Sequence, residues 1–230
     1  MVKIGVMGTI GVGKSTFIEA LISKLNEMKV KTHLYLEPAM EDPDTHQILL
    51  KFYTNTKAWG YALEEAITKV HNRYYQEIDM IVESGEEGAV ILDGPSNGDI
   101  FSRIFCKNGL ISDDERDRIL AMFVPFELDI LIYLKESADE TIRRIKTRDR
   151  TMETSNLDYI YDHVRDYEIM VPVFLETRFP TAKVLLLENM PDVSTKAYDD
   201  FVNNLAHLLL LKDHAKAIDF SSLPLLKVLQ

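Results

Sequence analysis

The chain has 230 residues, 46% of them hydrophobic, enough to bury one substantial core. Its 37 acidic against 26 basic residues leave a formal net charge of -11, which repels polyanions and anionic membranes and disfavours a dedicated nucleic-acid-binding role. The single cysteine, Cys106, rules out an internal disulfide and fits a reducing compartment; no secretory signal or membrane-length apolar run is read, so a cytoplasmic protein that binds no membrane is expected.

Five apolar runs of strand length, VKIGVMG, KTHLYL, GAVILD, LDILIYL and AKVLLLE, alternate with stretches long enough to be helices. That alternation predicts a parallel sheet in an α/β layer fold. The first run leads into Gly8-Thr9-Ile10-Gly11-Val12-Gly13-Lys14-Ser15, which fits G-x-x-x-x-G-K-[ST] between a strand and the helix-forming FIEALISKL. Such a loop turns backbone N–H groups toward phosphate oxygens; Lys14 supplies a point charge to them and Ser15 can ligate Mg²⁺. The second run ends in Glu37-Pro38, where a carboxylate at the carboxyl edge of the sheet can take a proton from an attacking hydroxyl.

From Trp59 to about Val82 a long segment reads as one helix, suited to the interior or to a dimer. GAVILD ends in Asp93, then breaks on Gly94-Pro95; an acid there is placed to ligate Mg²⁺ directly or through water. Capping boxes are expected at Ser112 with Glu115 and at Ser137 with Glu140. Arg143, Arg144, Arg148 and Arg150 crowd a short stretch of an acidic chain, with Arg144 and Arg148 one helical turn apart. The tail after Leu211 carries no readable pattern, and without a linker or repeat the whole of residues 1–230 reads as one domain.

These spaced motifs resemble the deoxyribonucleoside kinases, the family of deoxycytidine, deoxyguanosine and insect multisubstrate kinases, over roughly Lys3 to Phe201. The resemblance implies a three-layer P-loop kinase fold, a five-stranded parallel sheet flanked by helices with an arginine-rich lid over about 144–154, and a homodimer. It implies transfer of the γ-phosphate of ATP, with Mg²⁺, to the 5'-hydroxyl of a deoxynucleoside. Glu37 would be the base. The phosphate-binding set would be Gly8 to Ser15 (Gly8, Thr9, Ile10, Gly11, Val12, Gly13, Lys14, Ser15) with Thr16, Arg144, Arg148 and Arg150, and the metal would lie at Ser15 and Asp93. Tyr53 and Glu153 would meet the 3'-hydroxyl, Leu63 would pack near the base, and Glu64 would stand in the place of a base-reading glutamine.

Two departures carry consequences. Gly94 stands where the family has an arginine that helps bind the 5'-hydroxyl, and Arg103 is a candidate substitute. Glu64, if ionised, only accepts hydrogen bonds, which suits the adjacent N1–H and N2–H₂ donors of guanine. Deoxyguanosine is therefore the expected first substrate, with Asp99 as a second acceptor and His71 facing O6 or N7. A nucleoside monophosphate kinase, thymidylate-like, lacks a cationic clamp here; a kinase of modified bases within DNA meets the net charge; a nucleotide-binding regulator without catalysis would not need Lys14, Ser15, Glu37, Arg148 and Glu153 together.

Overall fold

The computed structural model describes residues 1–148, 157–209 and 226–228. The five apolar runs form β1 (Val2–Met7), β2 (Thr32–Tyr35), β3 (Ala89–Asp93), β4 (Ile130–Lys135) and β5 (Lys183–Glu188). They pair in parallel in the order β2-β3-β1-β4-β5. A short strand from the unread tail, β6 (Leu226–Val228), adds antiparallel to β5 and closes that edge.

Helix α1 (Lys14–Glu27) follows β1, and α2 (Pro38–Glu41), α3 (Pro43–Thr54) and α4 (Thr56–Glu83) lie between β2 and β3. Between β3 and β4 come α5 (Asn97–Lys107) and α6 (Asp113–Met122); α7 (Ala138–Arg148) and α8 (Leu157–Arg178) follow β4, and α9 (Lys196–Leu209) follows β5. The helix expected over 59–82 is α4, started three residues earlier by Asn55, whose side chain accepts from Ala58 N at 3.0 Å. The Ser112–Glu115 capping box forms in full. At Ser137 only half forms: its hydroxyl accepts from Glu140 N at 3.2 Å, while the Glu140 carboxylate is drawn off by Arg143 and Arg144.

Strand residues alternate between two cores, as a sheet covered on both faces requires. Ile4, Val6, Ile91, Ile130 and Ile132 pack with Phe17 and Leu21 of α1 and Phe201 and Leu205 of α9. Val90, Leu92, Leu131 and Tyr133 pack with Ile67 and Tyr75 of α4, Phe105 of α5 and Phe174 of α8. Side chains as enclosed as Ile91 and Leu131, both 0% exposed, contribute about 1.5–3 kcal/mol each.

This topology builds the site. β3 lies between β2 and β1, and Val6 pairs with Asp93 in register. The residues that follow β2, end β3 and follow β1 therefore meet at one carboxyl edge of the sheet, where α/β proteins bind ligands.

Candidate active site

The loop from Gly8 to Gly13 joins β1 to α1, whose first turn carries Lys14 and Ser15. Gly13 caps α1 at φ 108°, a conformation side chains resist, and its carbonyl accepts from Phe17 N at 3.1 Å. The first N–H groups of α1 are thereby left for an anion. Lys14 lies folded over this cradle, its Nζ donating to Gly8 O at 2.9 Å and Thr9 O at 3.4 Å. Arg144 is tied to the same loop: its guanidinium donates to Val12 O at 2.8 Å and pairs with Glu136 at 3.0 Å and Glu140 at 2.8 Å. Ser15 and Thr16 are exposed on the first turn of α1.

A cavity opens beside the loop, lined by Ile10, Gly11, Lys14, Ser15, Glu37, Asp93 and Asn97 at the sheet edge. Glu37 is the residue before α2, whose first position is Pro38, and its half-buried carboxyl faces this space. Burial, then the charge of Asp93, push its pKa up to about 8, against the opposing pull of Lys14 and of a hydrogen bond from Asn97. That bond runs from Asn97 Nδ2 to Glu37 Oε2 at 2.8 Å, while Oε1 is buried without a hydrogen-bond partner among the described residues. Asp93, 5% exposed, is likewise raised by burial and lowered by Lys14, and its Oδ1 has no partner among those residues.

The far end of the cavity is apolar and aromatic. Phe52 and Tyr53 of α3, Leu63 and Glu64 of α4, Phe101 and Phe105 of α5, and Tyr159 and His163 of α8 line it. Glu64 is 0% exposed, neither of its oxygens has a partner among the described residues, and burial followed by the nearby Glu37 holds its pKa well above the carboxylate range. Burial thus favours its neutral carboxyl, which has one O–H to donate and one carbonyl to accept. His163 is kept neutral by burial, which lowers its pKa to about 4.

A family profile described as deoxynucleoside kinase matches residues 4–210. The chain belongs to the deoxynucleoside kinase family. The kinase is 28% identical over 159 residues to the deoxyadenosine/deoxycytidine kinase of Bacillus subtilis, covering 65% of this chain and 67% of that protein. It is 24% identical over 183 residues to the deoxyadenosine kinase of Dictyostelium discoideum, covering 74% and 69%. Among solved structures, the deoxyadenosine kinase from M. mycoides with bound dATP matches with a TM-score of 0.68 at 21% identity, covering 89% of this chain and 99% of that one. The same enzyme with products dCMP and a flexible dCDP bound gives 0.69 at 21% identity, covering 90% and 99%. These two likenesses establish the fold.

Several residues expected in the kinase site lie elsewhere. Asp99 is 0% exposed and does not line the cavity; Arg103, one turn on, holds one carboxylate oxygen at 2.5 Å, and Arg178 at the end of α8 holds the other. A carboxylate committed to two guanidinium groups is no free acceptor for a base, and Arg103, the candidate substitute for the missing arginine, is paired with it and does not line the cavity. His71 is 1% exposed and stacked on Tyr75, with ring centroids 6.0 Å apart, away from the cavity lining. Trp59 and Tyr61, for which no site role was expected, do not line the cavity; Lys51 and Arg118 lie over their rings. Arg148 ends α7 by its backbone; its side chain, together with Arg150 and Glu153, lies outside the described residues. Conversely Asn97, Tyr159 and His163 enter the cavity without any motif that announces them.

His71 bears on stability rather than chemistry in the kinase. Burial lowers its pKa to about 3, and neither ring nitrogen has a hydrogen-bond partner among the described residues. The unfolded chain takes up this proton near pH 6.5 and the folded one does not, so stability is complete above pH 6.5 and is lost as pH falls toward 3. The group costs roughly 1.4 kcal/mol per pH unit in that window. His71→Phe should therefore reduce the stability lost between pH 7.5 and 5 by about 2 kcal/mol in urea unfolding; equal losses in both proteins would refute this.

Among the described residues no helix is long and apolar enough to cross a membrane.

Proposed function

We propose that this deoxynucleoside kinase transfers the γ-phosphate of ATP to the 5'-hydroxyl of deoxyadenosine and deoxycytidine. The observation that carries the base assignment is Glu64, 0% exposed in the cavity lining with neither oxygen partnered among the described residues, where burial favours the neutral carboxyl. Adenine presents N6–H₂ beside N1, and cytosine N4–H₂ beside N3; each is a donor next to an acceptor, matched by the carbonyl and O–H of a protonated carboxyl. The guanine preference expected from the sequence rested on an ionised Glu64, a form that burial disfavours. The names of the Bacillus subtilis and Dictyostelium discoideum relatives point to the same nucleosides.

In this reading the P-loop N–H groups and Lys14 hold the donor phosphates, and Arg144, already bonded to Val12 O, borders them; Arg148 follows it one turn along the backbone of α7. The second cavity, between Thr16, Arg143 and the 190–193 loop, receives the base of ATP. Tyr53 meets the sugar and Leu63 packs near the nucleobase, as both line the first cavity. The 5'-oxygen attacks the γ-phosphorus, the bond to the β-bridging oxygen breaks, and the 5'-hydroxyl proton passes to Glu37 Oε1. Mg²⁺ would be held by Asp93 and Ser15: the partnerless Oδ1 of Asp93 and the Ser15 hydroxyl are hard oxygen donors. Among the described residues no cluster of three or more metal-binding side chains exists, which suits an ion that takes most of its ligands from phosphate and water. When bound, that ion neutralises charge on the phosphates.

Initial rates on the four deoxynucleosides with Mg-ATP test the assignment. Deoxyadenosine and deoxycytidine should show the highest kcat/KM, Glu64→Gln should stay within about threefold of wild type, and Glu64→Leu should lose about 10–100-fold by leaving the base's polar edge unpaired. A deoxyguanosine preference that Glu64→Gln abolishes would overturn the reading.

A further inference from the structure

Asn97 is 1% exposed, yet it is a polar side chain that lines the cavity at the sheet edge. Its Nδ2 donates to Glu37 Oε2 at 2.8 Å across 60 residues of sequence, and its own Oδ1 is buried without a partner among the described residues. The backbone around it is built for this contact. Asp93 ends β3, Gly94 N donates to Val6 O at 2.8 Å, Gly94 turns at φ 66°, and Asn97 N donates back to Gly94 O at 3.0 Å. A Cβ placed on Gly94 would overlap both Asn97 Nδ2 and Glu37 Oε2, deep inside van der Waals contact. The space beside position 94 is therefore filled by the amide and the carboxyl themselves, and a side chain at 94 would have to push them apart as well as bear the strain of φ 66°.

We propose that Asn97 is a positioning residue for Glu37: its amide fixes one carboxyl oxygen and thereby presents the other, Oε1, to the acceptor's hydroxyl. Gly94 is the companion of that arrangement, since a Cβ there would overlap both partners of the Asn97–Glu37 bond as they stand. The proposal rests on the reading of Glu37 as the base. An amide suits the task because it donates without a charge that could vary, and because a charge-assisted bond to a carboxylate is both short and directional. Losing it frees the carboxyl to rotate, and misplacement of a catalytic group by about 1 Å can cost on the order of 10²-fold.

The experiment is a double-mutant cycle between Asn97→Ala and Glu37→Gln, read by steady-state kinetics with Mg-ATP and deoxyadenosine. Asn97→Ala should lower kcat about 10–100-fold with KM for ATP and for the nucleoside changed by less than about threefold. Because Asn97 acts through Glu37, the same substitution in the Glu37→Gln background should change kcat by less than about twofold. Asn97→Asp keeps the shape and sets a carboxylate against a carboxylate, so it should fall at least as far as the alanine variant; it serves as the isosteric partner for the cycle if Asn97→Ala does not fold. Gly94→Arg should lower kcat rather than raise it. Full kcat in Asn97→Ala, or an equal factor lost in both backgrounds, overturns the proposal. Full kcat in Glu37→Gln alone overturns the base assignment instead, so the two failures are distinguishable.

Discussion

Glu37→Gln is expected to lower kcat for deoxynucleoside phosphorylation by about 10²–10⁴-fold, the usual worth of a positioned general base. The amide keeps the shape and cannot take the proton, so ATP binding should remain near the wild-type value. The pH dependence supplies an independent check. The Glu37 carboxyl is raised to about 8, first by burial and then by Asp93, so the proton-accepting form accumulates only as pH rises through that value. In the wild type, kcat/KM should climb about tenfold per unit below pH 8 and flatten above it, and the residual rate of Glu37→Gln should lack that limb. A cation beside Asp93 offsets the charge that raises the group, so the limb in kcat at saturating Mg-ATP should lie lower. Retention of kcat within about threefold in Glu37→Gln would exclude the assignment.

Lys14→Met is expected to cost about 10²–10³-fold in kcat/KM for ATP, the scale on which one preorganised donor to a transferring group is lost. Lys14 already lies over the P-loop, bonded to the Gly8 and Thr9 carbonyls, and needs only to exchange those acceptors for phosphate oxygens. Its charge has a second effect, because it lowers the pKa of both Glu37 and Asp93. Removing it should therefore move the acidic limb of the rate profile to higher pH, in addition to weakening nucleotide binding. Titration with a fluorescent ATP analogue separates the two variants: Lys14→Met should lose affinity and Glu37→Gln should keep it. Unchanged affinity and an unmoved limb in Lys14→Met would refute both roles.

What the sequence made legible was local. The glycine spacing of the P-loop, the strand-length apolar runs, the Glu37-Pro38 pair and the acid that ends β3 each announce themselves within a few residues, and the sheet order brings them together. What it hid depended on distant partners. Asp99 reads as an available carboxylate until Arg178, 79 residues away, takes one of its oxygens. Whether Glu64 acts as an ionised acceptor or as a protonated mimic of an amide turns on burial, and burial belongs to the packed fold. Asn97 sits in a Ser-Asn-Gly run that reads as turn chemistry, and only the proximity of Glu37 gives its amide a role. The strand β6 went unread because three residues pairing at a sheet edge carry no period of their own.

The ion pairs of Asp99 have a mechanical meaning for the choice of nucleoside. Asp99 binds α5 to the far end of α8 through Arg178, and Lys107 binds α5 to Asp166 in the middle of α8 at 2.7 Å. These two helices also carry Phe101, Phe105, Tyr159 and His163, with Phe101 and His163 packed edge to face at 4.6 Å. One jaw of the vise is thus a bolted plate, since shifting it would break buried carboxylate pairs. Phe52 of α3 is stacked on Phe105 of α5 at 5.1 Å and belongs to the same wall, whereas Met40 of the four-residue α2, a pliant side chain 49% exposed, also lines the cavity. A base of different size is therefore expected to be met by a change of Met40 rather than by a shift of the paired α5 and α8.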